Sequence, residues 1–310
     1  AYQALRDDPE APISDSIKRA AISVEIFHKA SLVHDDIEDG DAERYGETTL
    51  HTEHGIPVAL NIGDLLIGEG YRLLADGDLP AHIRSAALLV AAEGQRELCI
   101  GQGAELLWTR HPVALSSQQV LEIFRSKTAP AFEVALKVGA ALAGRLDECA
   151  DVLHTYSENL GIAYQIRDDI DDLGEDSAAA NEWSMRPSII LSLLREKGKG
   201  TAKDTMEALW NGQPCEKPNN AQIRDWSHDS GAYEKATTLL EGYKEAAIRS
   251  LQEVEIPNLK GLLRRVIGKI FNELEIKGWC REFEQKNIDP SIRAEAAKAA
   301  EHLVPQPQKA

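Results

Sequence analysis

A chain of 310 residues with 43% hydrophobic side chains is long enough for one large domain with a sizeable core. Its formal net charge of −17 argues against nucleic acid and anionic membrane surfaces as main partners, and admits an anionic substrate only where cations mediate. No apolar run reaches the roughly 18 residues of a membrane span, and Cys99, Cys149, Cys215 and Cys280 have no metal-ligand spacing, so the expectation is a cytoplasmic protein with reduced thiols.

Aromatic residues make up only 5%, Ala and Leu dominate, and the chain reads as helix after helix. Over 14–39, Ile17, Ala20, Val24, Phe27 and Ala30 recur at helical spacing, with Ser14 or Asp15 as N-cap. A loop with a short turn is predicted over 40–57 and a second helix over 58–76. Residues 78–110 form the third, with breaks expected near Gly94 or Gly101, and 116–144 the fourth, with a kink at Pro130. Helices over 148–173, 188–197, 231–254 and 258–271 follow, with a surface loop at 211–220. The expected architecture is all-α: a single domain spanning 1–310, a bundle of roughly ten helices, with a polar extension from about 280 and a disordered "QPQKA" tail.

The chemistry is concentrated at the ends of two of these helices. Asp35 to Asp41 packs five carboxylates into seven residues, and Asp35, Asp36 and Asp39 spell D-D-x-x-D. The pattern recurs as Asp168, Asp169 and Asp172. Carboxylates four apart share a helix face about 5–6 Å from each other, close enough to bridge a hard cation. Mg2+ takes oxygen ligands and keeps an incomplete protein shell that phosphate oxygens can fill. A single acidic run is ordinarily a solvated face; two copies at helix ends, opposed across a bundle, could hold two or three Mg2+ and one diphosphate. Such metals stabilise a departing diphosphate, and an apolar interior would shield the allylic cation left behind.

The blocks "HKASLVHDDIEDGDAERYG", "NIGDLL", "GQGAEL", "KTAPAFEVALKVGA" and "LGIAYQIRDDIDDLG" resemble, in order and spacing, those of the polyprenyl synthetase family, the trans-isoprenyl diphosphate synthases. The resemblance covers about 25–175 and is weak from about 188 onward. It implies an all-α bundle around a central cavity, a homodimer, and prenyl diphosphate substrates. It also implies that Asp35, Asp36, Asp39, Asp168, Asp169 and Asp172 bind Mg2+ and the allylic diphosphate. Arg44 matches the first arginine of the family's Arg-Arg-Gly, Lys127 and Thr128 its Lys-Thr pair beside the diphosphate, Gln165 the glutamine before the second motif, and Gln102 that of the GQ block. The plain alternatives are helix-tying hydrogen bonds for the two glutamines and a salt bridge for Lys127. Ala30 and Ser31, small residues upstream of the first motif, would leave room for a longer product.

Three sites that bear on isopentenyl diphosphate are altered or unseen. Tyr45 stands where the second arginine belongs, and a phenol cannot give a bidentate charged contact. The family's Gly-Gly-Lys-x-x-Arg-Pro block would fall ahead of Ala1, and the lysine expected after the second motif is missing from "GEDSAAANEWSMRPSII", where Arg186 could substitute. The leading expectation is condensation of isopentenyl diphosphate with an allylic prenyl diphosphate. The alternatives are a terpene-synthase-like enzyme that ionises its substrate without condensation, and a non-catalytic subunit modulating another synthase.

Overall fold

The structure, a computed structural model, describes residues 1–8, 10–173 and 186–271. The chain divides into two compact units, Ala1–Leu259 and a second beginning at Lys260. Among the described residues nearly all regular structure is helical: α1 (Asp15–Asp39), α2 (Leu50–His54), α3 (Ile56–Ala75), α4 (Ala81–Arg110), α5 (Ser117–Leu142), α6 (Leu146–Asp171), α7 (Ile189–Lys197), α8 (Gly200–Trp210), α9 (Asn220–Ser230), α10 (Ala232–Ser250) and α11 (Pro257–Ile270). The polar extension, the tail, Cys280 and the segment after the second motif that precedes Arg186 lie outside the described residues.

Predicted and observed helices agree within two residues at most ends, and the caps explain why. Ser14 accepts from the backbone N–H of Ile17 at 3.4 Å, and α1 ends at Gly40, whose φ of 72° is the left-handed stop. Ser116 and Gln119 form a reciprocal capping box at the start of α5. Three features escaped the sequence reading. The loop after α1 contains a two-stranded hairpin, β1 (Glu43–Arg44) and β2 (Glu47–Thr48), closed by Tyr45 and Gly46, both at positive φ. The short α2 follows it, and α8 and α9 flank the 211–219 connection.

The expected breaks in α4 do not occur. Gly94 and Gly101 are places where α5 packs, not ends. A Cβ on Gly101 would lie 2.5 Å from the backbone N of Lys127, and one on Gly94 would run into Val134. Contacts pairing 94 with 134 and 101 with 127 make α4 and α5 antiparallel. On the other flank of α5, a Cβ on Gly161 of α6 would lie 2.6 Å from the Cα of Ala129. One turn of α5 is thus gripped from both sides, and it includes Lys127. The helix runs on through Pro130, which is buried. An Ala-rich core of Ala20, Leu74, Ala87, Ala91, Val138 and Ala141 joins α1, α3, α4 and α5, and small side chains permit this close approach. A second core, including Phe124, Ile166, Ile190, Met206 and Trp210, joins α4–α6 to α7–α10.

Candidate active site

Both aspartate motifs sit at helix C-termini, where unpaired carbonyls already concentrate negative charge. Carboxylates there are electrostatically misplaced unless cations answer them, and in each motif an arginine does. Arg44, on β1, hydrogen-bonds Asp36 through Nε and Asp35 through Nη2 at 3.1 Å, and reaches Asp41 at 3.7 Å. Arg186 pairs with Asp172 and lies 3.6 Å from Asp169. Arg167 adds contacts to Asp168 at 3.1 Å and Asp171 at 3.6 Å.

The two motifs repeat one spatial logic. The second aspartate of each turns inward: Asp36 is 7% exposed and Asp169 6%. Asp35 and Asp168 are half-buried, and Asp39 and Asp172 are exposed, so the first and last members stand on the open side, as their four-residue spacing dictates. Asp169 also has a structural task. Its carboxylate accepts the backbone N–H of Ile189 at 2.5 Å, satisfying an orphan donor at the start of α7. Burial nevertheless pushes its carboxyl up to about 6, against the opposing pull of Arg186, Ile189 and Ser188. The Asp39 carboxyl is also pushed up to about 6, by partial loss of water and then by the charge of Asp35, with Glu105 and Asp41 adding and Lys127 opposing. Because the surface of Asp39 is exposed, like-charge crowding is the cause that weighs most there.

Gln102, on α4, donates to Glu38 at 2.8 Å and to Asp35 at 3.4 Å, so the helix-tying role is realised at the first motif itself. Lys127, on α5, donates to Glu105 of α4 at 2.6 Å, realising the salt bridge. Glu105, which the sequence reading passed over, is a buried carboxylate in the GQ block; only the α4–α5 register reveals its importance. Its charge acts on both Asp39 and Arg186, so the Glu105–Lys127 pair is within electrostatic reach of both motifs. Thr128 and Gln165 are half-buried on the neighbouring turns of α5 and α6. Ala30 is buried inside the bundle, whereas Ser31 faces outward and spends its hydroxyl on the carbonyl of His28. Tyr45, at the hairpin tip, is 86% exposed with φ 55°.

Among the described residues, no group of three or more His, Cys, Asp or Glu side chains is arranged to hold one ion. The carboxylates instead engage Arg44, Arg167 and Arg186. An open recess of about 550 Å3, lined by Glu38, Leu106, Leu107, Thr109 and Arg110, adjoins the end of the first motif. No described helix is long and apolar enough to cross a membrane.

An all-α bundle with two acidic helix ends, each answered by an arginine, defines a helical protein of the isoprenoid synthase type. The comparisons agree: the chain belongs to the polyprenyl synthetase family, whose model matches residues 1–184. It is 28% identical over 241 residues to a geranylgeranyl pyrophosphate synthase of Geoglobus acetivorans, covering 76% of this chain and 73% of that protein. It is 30% identical over 219 residues to a short chain isoprenyl diphosphate synthase of Methanocaldococcus jannaschii, covering 68% of this chain and 64% of that protein. The geranylgeranyl pyrophosphate synthase of Corynebacterium glutamicum, solved with isoprenyl diphosphate and magnesium, shares the fold at a TM-score of 0.76 and 21% identity, covering 88% of this chain and 84% of that one.

Proposed function

We propose that this protein is a Mg2+-dependent prenyltransferase that condenses isopentenyl diphosphate with an allylic prenyl diphosphate to give a longer trans-prenyl diphosphate. The observation that carries the reading is the repeated motif geometry, with outward pairs Asp35/Asp39 and Asp168/Asp172, and a Glu105–Lys127 pair whose charge reaches both motifs. Family membership and the names of the relatives support it.

The donor set suits magnesium. It consists of carboxylate oxygens, and two per motif leave most of an octahedral shell for water and diphosphate oxygens, so a three-residue protein cluster is not required. Asp35, Asp39, Asp168 and Asp172 would hold the ions, with Asp36 and Asp169 setting the motif backbones from within. When bound, the ions would withdraw charge from the departing diphosphate. Arg44 and Arg186 would exchange carboxylate contacts for diphosphate oxygens as metal replaces them, and Lys127 and Thr128 would hold the same group from α5. Gln102 would keep Asp35 oriented, and Gln165 would stand beside the reacting carbons. The bundle interior would exclude water from the cation, and the small Ala30 would leave space for a growing chain.

Leu60 and Leu65 on α3 and Leu89, Ile100 and Leu107 on α4 are exposed large apolar side chains, which supports assembly as a homodimer through these helices. A cytoplasmic setting would keep the free thiols of Cys99, Cys149 and Cys215 reduced.

The deciding assay supplies Mg2+, farnesyl diphosphate and labelled isopentenyl diphosphate. Label in a longer prenyl diphosphate is the expected result. Hydrocarbon or alcohol formed without the co-substrate would instead identify a terpene-synthase-like enzyme, and silence alone with altered product length from a co-expressed synthase would identify a modulating subunit.

A further inference from the structure

Glu105 is 8% exposed, and a carboxylate so placed is costly unless a cation and hydrogen bonds hold it. Its cation is Lys127, at 2.6 Å. The backbone builds this pairing. Gly101, one turn before Glu105, lets α4 touch α5 at Ser126 and Lys127, so both side chains rise from the point of closest approach and span the same seam. The alternatives open to the ammonium are the surrounding carboxylates: Asp39 feels the charges of both Lys127 and Glu105, and Arg186, beside Asp168 and Asp169, feels that of Glu105. An untethered lysine on a flexible four-carbon stem would be drawn onto one of those motif aspartates, removing a metal ligand and a diphosphate contact together. An ammonium has three N–H donors, and one bond to Glu105 leaves two for a ligand.

We propose that Glu105 is a positioning residue: anchored on α4, it holds Nζ of Lys127 at the seam between the aspartate motifs, with its remaining donors directed at a diphosphate bound there. This rests on the reading of Lys127 as a diphosphate contact given above. It runs against bare electrostatics, in which a buried negative charge near a diphosphate site repels the ligand, so the two accounts predict opposite signs.

The test measures binding of inorganic diphosphate in fixed excess Mg2+ to the full chain by calorimetry, for wild type, Lys127→Ala, Glu105→Gln, Glu105→Asp and the double variant Glu105→Gln/Lys127→Ala. Glu105→Gln is expected to weaken binding about tenfold, Glu105→Asp by an intermediate factor because charge and hydrogen bond survive, and the double variant no more than Lys127→Ala alone, the non-additivity of a coupled pair. Tighter binding by Glu105→Gln, or weakening that simply adds to that of Lys127→Ala, would overturn the proposal. Unchanged binding by Lys127→Ala would instead remove Lys127 from the diphosphate site, a separate failure. Should Glu105→Gln not fold, the cycle run with Glu105→Asp decides by the same criterion: its weakening must vanish in the Lys127→Ala background.

Discussion

Asp169, the middle member of the second motif, accepts the backbone N–H of Ile189 at 2.5 Å and so fastens the start of α7 to the end of α6. Asp168, its immediate neighbour, is half-buried and pairs with the side chain of Arg167 at 3.1 Å. Of the two adjacent aspartates, Asp169 thus holds a backbone junction. Asp169→Ala would orphan a buried N–H and is expected to destabilise by about 1–3 kcal/mol. Asp169→Asn keeps the acceptor oxygen and should melt close to wild type. Thermal melts of the two variants check this, and equal losses would refute the capping role.

Asp35→Ala and Asp168→Ala remove half-buried carboxylates whose described partners are the side chains of Arg44 and Gln102, and of Arg167. Each is expected to cost about 100-fold or more in turnover, the scale of losing one electrostatic contact to a developing charge. Circular dichroism should stay helical. Ordinary turnover in both would remove the motifs from the active site.

Proton linkage links the crowded carboxylates to stability. Asp39 and Asp169 both stand at about 6, above the ordinary 3.8. The folded chain thus binds these protons more tightly than the unfolded chain, and stability falls as pH rises from about 4 through about 6. In chelator, the melting temperature should be higher at pH 5 than at pH 7.5, and Mg2+ should restore more stability at pH 7.5, where it does not compete with protons. Fluorimetric melts test both. An Asp39→Asn/Asp169→Asn variant should show a flatter profile, and one as steep as wild type would locate the dependence elsewhere.

Gly101→Ala would press a methyl against the α5 backbone beside Lys127, and Gly161→Ala would do the same beside Ala129. Backbone cannot rotate away as a side chain can, so each should cost at least the roughly 1–3 kcal/mol of core overpacking. Gly103→Ala, with open space around it inside α4, should stabilise by about 0.5–1 kcal/mol. Chemical denaturation of the three variants gives the ranking, and a Gly103 variant as damaged as the others would contradict it.

Tyr45 holds φ at 55°, a conformation unfavourable for a side chain with Cβ, in a hairpin turn that suits glycine or asparagine. Tyr45→Asn should stabilise the fold by a few tenths of a kcal/mol, up to about 1. Tyr45→Arg, adding a guanidinium at the tip, should lower KM for isopentenyl diphosphate while leaving KM for the allylic substrate near its original value. An equal change in both constants would mean that the tip does not distinguish the two diphosphates.

Much of this molecule was legible along the chain. Helices α1, α3 to α7, α10 and α11 follow from periodic apolar residues and local caps, because the hydrogen bonds of a helix close within four residues. The motif aspartates were legible for the same reason: a four-residue spacing puts Asp35 with Asp39 and Asp168 with Asp172 whatever the rest of the chain does. The short α8 and α9 were missed, although α9 carries a capping box at Asn219 and Gln222 and a left-handed stop at Gly231; helices of 11 residues hold few apolar positions, and theirs (Met206, Trp210 and Ile223) are fixed by packing into the second core. The hairpin hid behind a Tyr-Gly turn in place of the usual Asn-Gly.

Tertiary structure alone decided which aspartate of each motif faces inward, that Ser31 points away while Ala30 does not, and that Gly94 and Gly101 join helices instead of ending them. It alone brought Glu105 to Lys127, residues of different helices whose meeting depends on where two backbones touch. Spacing along one helix is a property of the chain, but the register between helices is set by the packing of every side chain between them, and that sum is available only once the bundle has closed.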